Sequence, residues 1–294
     1  MSRTAQIQNM EVVVTGRLLK RGRLGAEYYE WVEDPPAFLR ELQQSAACPD
    51  LFTFVQHVSD RTPRPGMYYE MDSLAILPIT SYENWWKCQV NDKTRNMIRK
   101  AGKAGVEMKS VEFDDALVRG IEKIYSESPV RQGKAFKHYQ MDFETIQRTH
   151  ITFRERSDFI GAYYQGELIG FAKLVHGRGV SSLMQIISMI GQRDKAPTNA
   201  LIAKAVEICT QKGVPFLHYG IWGRAGGLGD FKKHHAFQQF DMPRYTVPLT
   251  WKGKLMLGLK LHRNPSDYVP DAAMKMMLAA RAKWTQIRYG GQKK

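Results

Sequence analysis

The sequence predicts an α/β chain organised on a mixed sheet. Three observations carry this. The runs DFIGAYYQ and ELIGFAKLVHG flank Gly166 and read as a β-hairpin. The run VSSLMQIISMI, residues 180–190, is mostly apolar and reads as a third, central strand. Helix-like and strand-like segments then alternate to residue 250, the pattern of helices laid on a mixed sheet.

From the N-terminus, MEVVVTGRLL reads as a strand. DPPAFLRELQQSA reads as a helix opened by Asp34 and two prolines. DLFTFVQHV is β-rich, and DRTPRPGMYYE is a loop. DSLAILPITSYENWWKC combines a strand with a helix opened by Ser81, with Glu83 and Asn84 in its first turn. NDKTRNMIRKAGKAGVEMK is a basic helix that ends at Gly105 and passes into the strand VEMKSVE. DDALVRGIEKIYSES places Leu117, Ile121, Ile124 and Tyr125 on one helical face. PVRQGKAFKHYQMD breaks that pattern as a polar loop, and residues 142–156 read as helix. After the three strands, a helix is expected from Thr198 to Lys212, closed by Gly213. VPFLHYGIWG is a strand, GGLGDFKKHHAF a short helix after glycines, and PRYTVPLT a last strand. The tail carries DAAMKMMLAARAKWTQIRYG, an amphipathic helix with Met274, Met277 and Leu278 on its apolar stripe. It reads as a packed end helix or as a basic surface helix that meets RNA or lipid. The segmentation is 1–90, an N-terminal α/β subdomain; 91–250, a main domain; and 251–294, a basic tail with a helix.

Apolar residues are 43% and charged residues 24% of the 294, an ordinary globular balance with a sizeable core. No apolar run reaches the roughly 18–20 residues of a membrane span. The start MSRTAQIQNMEVVV has no apolar stretch of signal-peptide length, so a cytoplasmic location is expected. Cys48, Cys88 and Cys209 lie far apart, without metal-ligand or redox spacing. Lysine and arginine number 43 against 29 acidic residues, a net charge of +14. That excess suits a polyanionic partner (nucleic acid, an anionic membrane surface or a phosphate-rich cofactor) or simply a basic, soluble surface.

The stretch GQRDKAPTNALIAKAV joins the central strand to the next helix. A helix start has N–H groups without intrahelical partners, and its dipole favours an anion. Arg193 and Lys195 add charge there, and Thr198 or Asn199 caps the helix or donates to a phosphate oxygen. Pro197 suits the entry but removes one donor. Locally, a capped helix with two solvated charges explains the stretch as well as an anion site does.

The order of hairpin, central strand, loop, helix, strand, short helix and strand over residues 91–250 resembles the GNAT acyltransferase fold. In that superfamily a loop of the form Gln/Arg-x-x-Gly-x-Gly/Ala wraps the pyrophosphate of coenzyme A. Here the matching segment is RDKAPT, with Ala196 and Thr198 where glycines are usual. Four segments resemble the Fem-type, peptidoglycan-bridge-like branch: KTRNMIRKAGKAGVEMK, DFIGAYYQGELIGFAKLV, KAPTNALIAKAVEICTQKG and GGLGDFKKHHAFQ. In the last, Phe231 and Lys232 match an FK-x-x-x-Gly-Phe helix, and Ala236 replaces its glycine. The resemblance implies an N-acyltransferase with a shortened N-terminal part. Its donor would be acyl-CoA in the first instance or aminoacyl-tRNA in the second, its acceptor an amine, and no metal is required.

Acyl transfer needs a stabilised oxyanion, and backbone N–H groups on the central strand at QIISM, with Gln185 and Ser188, are the candidates. The same two residues are otherwise polar members of a half-buried strand. Glu127 in the polar break is a candidate base, or an exposed loop carboxylate. Arg131, Gln132 and Lys134 could clamp an acidic acceptor or an RNA phosphate, or form a solvated basic loop. Tyr219 is a candidate general acid toward the leaving group or a buried strand tyrosine, and Lys232 is a candidate phosphate contact. His234 and His235 are adjacent and point to different faces, so they do not share a metal. Two further readings stand: a non-catalytic nucleic-acid-binding protein that uses the basic helix 92–103 and the tail, with MYYE and ENWW stacking on bases or buried in the core; and a membrane-surface protein resting on the tail.

Overall fold

The computed structural model describes residues 3–223 and 227–260, and Met276 alone beyond them. The strands are β1 (Arg3–Ile7), β2 (Met10–Thr15), β3 (Arg21–Leu24), β4 (Leu51–Val55), β5 (Tyr69–Pro78), β6 (Glu107–Val111), β7 (Val130–Arg131), β8 (Lys134–Ala135), β9 (Ser157–Tyr164), β10 (Glu167–His176), β11 (Val180–Ser188), β12 (Phe216–Ile221) and β13 (Gln238–Pro248). The helices are α1 (Pro35–Gln44), α2 (Tyr82–Asn84), α3 (Asp92–Lys103), α4 (Asp115–Ser126), α5 (Phe143–His150), α6 (Pro197–Gln211), α7 (Gly227–His234) and α8 (Trp251–Gly258). The result is the mixed α/β class that the sequence predicts. The described residues gather into two compact units that interleave in sequence: one from 3–91, 175–183, 208–223 and 227–260, the other from 92–174 and 184–207.

In the first unit the strand order is β1-β2-β3-β4-β13-β5-β12, followed by the start of β11. β13 runs antiparallel to both β5 and β4, and Tyr245 lies opposite Tyr69 on one side and Phe54 on the other. Phe38, Leu42, Phe52, Phe54 and Tyr245 fill the core beneath these strands. Helix α1 starts as its sequence requires: Asp34 accepts the Ala37 N–H at 3.1 Å, and the two prolines occupy its first positions. The run MEVVVTGRLL does not continue as one strand. Gly16 turns the chain at φ 98°, so β2 stops at Thr15. The polar segments RTAQI and RGRL, unmarked by any apolar alternation, form β1 and β3 on either side of it.

In the second unit the end of β11, β10, β9 and β6 follow in order, with β6 antiparallel to β9. The 158–176 hairpin turns on Gln165 and Gly166, both at positive φ. Helix α4 buries Leu117, Val118, Ile121, Ile124 and Tyr125. The polar loop expected at 129–142 contains a second small hairpin, β7–β8, because Gln132 and Gly133 both adopt left-handed φ in its two-residue turn. Helix α5 ends at His150, earlier than expected, and Phe153 at φ 58° turns the chain away. Helix α6 lies within one residue of its expected bounds at each end. The expected amphipathic helix at 271–290 lies outside the described residues.

Candidate functional site

The end of β11 is where the second unit concentrates polar side chains. Gly170 on β10 lets that end approach closely: a Cβ there would meet the Ser188 Cβ at 3.0 Å. Ser188 is buried, and its Oγ lies 2.8 Å from Thr198 Oγ1 at the start of α6. Thr198 thus closes onto the strand it follows. The Ser188 carbonyl accepts from Arg131 Nη1 at 2.7 Å. Arg131 Nη2 donates to the Ile124 carbonyl at 2.8 Å and to Glu127 at 3.1 Å. The guanidinium also lies 4.9 Å from the centre of the Phe136 ring. Burial lowers the Arg131 pKa, against the opposing pull of Glu127.

Glu127 completes the arrangement. Its Oε2 accepts the Ile190 N–H at 2.6 Å and its Oε1 the Gly191 N–H at 2.8 Å. Those amides open the loop that precedes α6. The rest of the loop is turned in on itself. Gln192 N–H donates to Met189 O at 3.3 Å, and Ala196 N–H to Arg193 O at 3.0 Å. Ala196 takes φ 54°, and Pro197 has no N–H. Arg193 is exposed; Lys195 folds over the Tyr164 ring at 4.7 Å and lies 3.4 Å from Asp194; Asn199 is half-buried and donates its N–H to Ala196 O at 3.1 Å. Gln132 and Lys134 are exposed on the β7–β8 hairpin. Of the predicted residues, therefore, Glu127, Arg131, Ser188 and Thr198 meet in one hydrogen-bonded cluster. In it Glu127 and Arg131 both bond to the chain's own backbone; Glu127 stays exposed and Arg131 is half-buried.

Gln185 reaches a different group, the hydroxyl of Tyr125. That hydroxyl pairs with His150 Nε2 at 3.0 Å. Beside it, Lys173 is fully buried and donates to the His150 carbonyl at 2.7 Å, to the Thr152 carbonyl and to Thr152 Oγ1 at 3.3 Å. An ammonium on the last carbonyl of α5 complements its negative end, and the Thr152 carbonyl just beyond the helix adds a second acceptor. Burial pushes Tyr125 up and Lys173 down to about 8; burial, then Lys173, pushes His150 down to about 4. Sequence reading misses Tyr125, His150 and Lys173 as site residues. The available signal is Lys173 itself, a lone charge inside the apolar strand ELIGFAKLVHG.

In the first unit Tyr219 and Lys232 come together. Lys232 is 3% exposed, so it is not the surface phosphate contact expected of it. Its Nζ donates to the Ile221 carbonyl at 2.8 Å and stands 4.7 Å above the Tyr219 ring. Burial holds Lys232 near 8 and raises Tyr219 to about 12. Between His218 and Ile221 the β12–β5 register shifts and Gly220 takes φ 65°, so Tyr219 sits on a bulge. The parallel ladder between β11 and β12 covers Val180–Ser182 and Phe216–His218 and stops there, although both strands continue. Trp85, a candidate base-stacking residue, is a core residue whose Nε1 donates to the His235 carbonyl at 3.1 Å. Among the described residues no group of three or more His, Cys, Asp or Glu is placed to hold a metal, and no helix is long and apolar enough to cross a membrane.

Known structures share this architecture. FemX superposes with a TM-score of 0.62 at 9% identity, over 87% of this chain and 90% of that one. L-PGS from Bacillus licheniformis gives 0.58 at 11%, over 87% of each chain. The C-terminal domain assigned to a lysylphosphatidylglycerol synthetase of Agrobacterium fabrum gives 0.56 at 13%, over 87% of each. No family model and no curated protein sequence matches the chain. At these identities the likeness is one of fold: the chain has the GNAT-like fold in the form seen in FemX.

Proposed function

We propose that the protein is an acyltransferase that moves an aminoacyl group from the 3′ end of a tRNA to an amine. The fold shared with FemX and L-PGS supports acyl transfer as the reaction class. The choice of donor rests on one observation, the closed state of the loop RDKAPT: the Ala196 N–H is already donated to the Arg193 carbonyl at 3.0 Å, the Asn199 N–H to the Ala196 carbonyl at 3.1 Å, and Pro197 has no N–H. In an acyl-CoA reading the amides of that loop receive the pyrophosphate. Few of them are free here, and the Glu127 carboxylate on the preceding Ile190 and Gly191 amides adds a negative charge beside the loop. Acyl-CoA, the first expectation from sequence, therefore ranks second.

An RNA donor also gives the charge a use. Lys93, Asn96, Lys100 and Lys103 recur at helical spacing along α3, and all four are exposed. The stripe spans about 15 Å at 1.5 Å per residue, enough to follow several phosphates of a strand. Arg193 adds an exposed cation in the same unit.

In the chemistry, the amine lone pair attacks the ester carbonyl, the C–N bond forms and the C–O bond to the ribose breaks. The proton lost by the amine must reach the leaving ribose oxygen. We assign that transfer to the hydroxyl of Tyr219, half-buried on the β12 bulge, with the Lys232 ammonium packed over its ring. The test is a single-turnover assay with a labelled aminoacyl-tRNA pool and, separately, labelled acetyl-CoA. The expected result is protein-dependent loss of the aminoacyl ester, abolished by Tyr219→Phe, with the thioester untouched. Thioester loss with intact aminoacyl-tRNA overturns the donor assignment. RNA binding with neither reaction favours the non-catalytic reading.

A further inference from the structure

Helix α8 is seated in the first unit by one face only. Gly253 and Met256 are buried, and a Cβ on Gly253 would lie 1.8 Å from the Asp50 carbonyl oxygen, so the helix backbone rests directly on the chain. Thr250 caps the helix by accepting the Gly253 N–H at 3.2 Å and donates its hydroxyl to Asp50 Oδ1 at 2.6 Å. The other face is apolar and open. Trp251, Leu255 and Leu259 follow one another at one-turn spacing and are 71%, 56% and 60% exposed.

Asp50 pins a second segment. Its Oδ2 accepts the Lys20 N–H at 2.8 Å, and its own N–H donates to the Lys20 carbonyl at 2.8 Å. This fixes the end of the turn Gly16–Lys20, whose Leu18 is 84% exposed. Two exposed apolar segments are thus held by the same carboxylate. Neither carries an acid: residues 16–23 read GRLLKRGR and residues 251–260 read WKGKLMLGLK. Arg17, Lys252 and Lys254 are exposed beside the apolar side chains.

We propose that this surface docks the protein on an anionic lipid bilayer. Trp and Leu on one face, flanked by Lys and Arg and free of acids, is the composition of a helix that lies in the headgroup layer. The apolar groups enter the acyl boundary while the cations stay among the phosphates. A second copy of the chain is a poor occupant, because a two-fold contact would set Lys252, Lys254 and Arg17 against their own equivalents. Helix α3 lacks this capacity. Its apolar residues turn inward and its exposed face is polar, so its basic stripe suits a polyanionic strand and α8 suits a membrane.

The experiment is sedimentation of the full-length protein with vesicles of phosphatidylcholine, alone or with phosphatidylglycerol. The wild type should sediment with the mixed vesicles and not with the neutral ones. Leu18→Glu combined with Leu255→Glu should weaken binding at least tenfold while the melting temperature stays unchanged, since both side chains are exposed. Lys252→Glu combined with Lys254→Glu should remove the preference for anionic lipid. The proposal is overturned if the wild type stays in solution or if the Leu18→Glu/Leu255→Glu variant binds as tightly as wild type. It is also overturned if the wild type proves to be a dimer that the same variant splits.

Discussion

The carboxylate of Glu127 holds the N–H of Gly191 at 2.8 Å across 64 residues of chain, and takes the preceding amide as well. An acid of the protein thus occupies the two amides that lead into the loop 193–198. Glu127→Ala should remove that acid and free both amides for another anion. The expected cost is about 1–3 kcal/mol, because two amides and the Arg131 guanidinium lose a charged partner. Inorganic phosphate should then raise the melting temperature of the variant and leave that of the wild type unchanged. Equal gains in both proteins would show that Glu127 blocks nothing.

Lys173 is the cation on the last carbonyl of α5 and on the Thr152 carbonyl just beyond it. Lys173→Met keeps most of the side-chain volume and removes the donors. Urea unfolding should show a loss of about 2–4 kcal/mol, the range for breaking a buried charged hydrogen-bond set. A loss below about 0.5 kcal/mol would remove Lys173 from the structural account.

Acid should destabilise the fold through its histidines. Burial holds His150, His218 and His235 near 4 in the folded chain, against 6.5 for the free side chain. Between these values the unfolded chain binds more protons than the folded one. Their contribution is fully present above pH 6.5 and is lost as pH falls through 4. Each is worth on the order of 1–3 kcal/mol across that window. Urea midpoints at about pH 7, 5 and 4 should fall in that order, and His235→Gln should flatten the fall.

The α3 stripe sets a quantitative expectation for RNA. Replacing Lys93, Lys100 and Lys103 with Ala should weaken tRNA binding. The slope of log affinity against log salt should fall by about 0.7–0.9 for each phosphate that is no longer neutralised. Fluorescence anisotropy over a salt series measures both quantities. An unchanged slope would place the RNA elsewhere.

The parts of the fold that are legible in the sequence are those whose signals are local. Asp34 and its two prolines mark α1, Gly166 marks the 158–176 hairpin, and Pro197 marks the start of α6. β1 and β3 leave no such mark, because RTAQI and RGRL are short and polar, and only pairing with β2 makes them strands. The site divides in the same way. Ser188 near the end of the central strand and Thr198 at the helix start are each marked, so the junction between them is legible although their contact is not. That Glu127 turns onto that junction is a tertiary relation, invisible in a linear pattern. So is the burial that turns Lys232 from a surface cation into a neighbour of Tyr219.

The donor is tested most directly by equilibrium binding of coenzyme A and of deacylated tRNA to the wild-type protein under identical conditions. The expected result is salt-dependent binding of tRNA and no saturable binding of coenzyme A up to about 1 mM, near −4 kcal/mol. Micromolar binding of coenzyme A with none of tRNA would contradict the central claim.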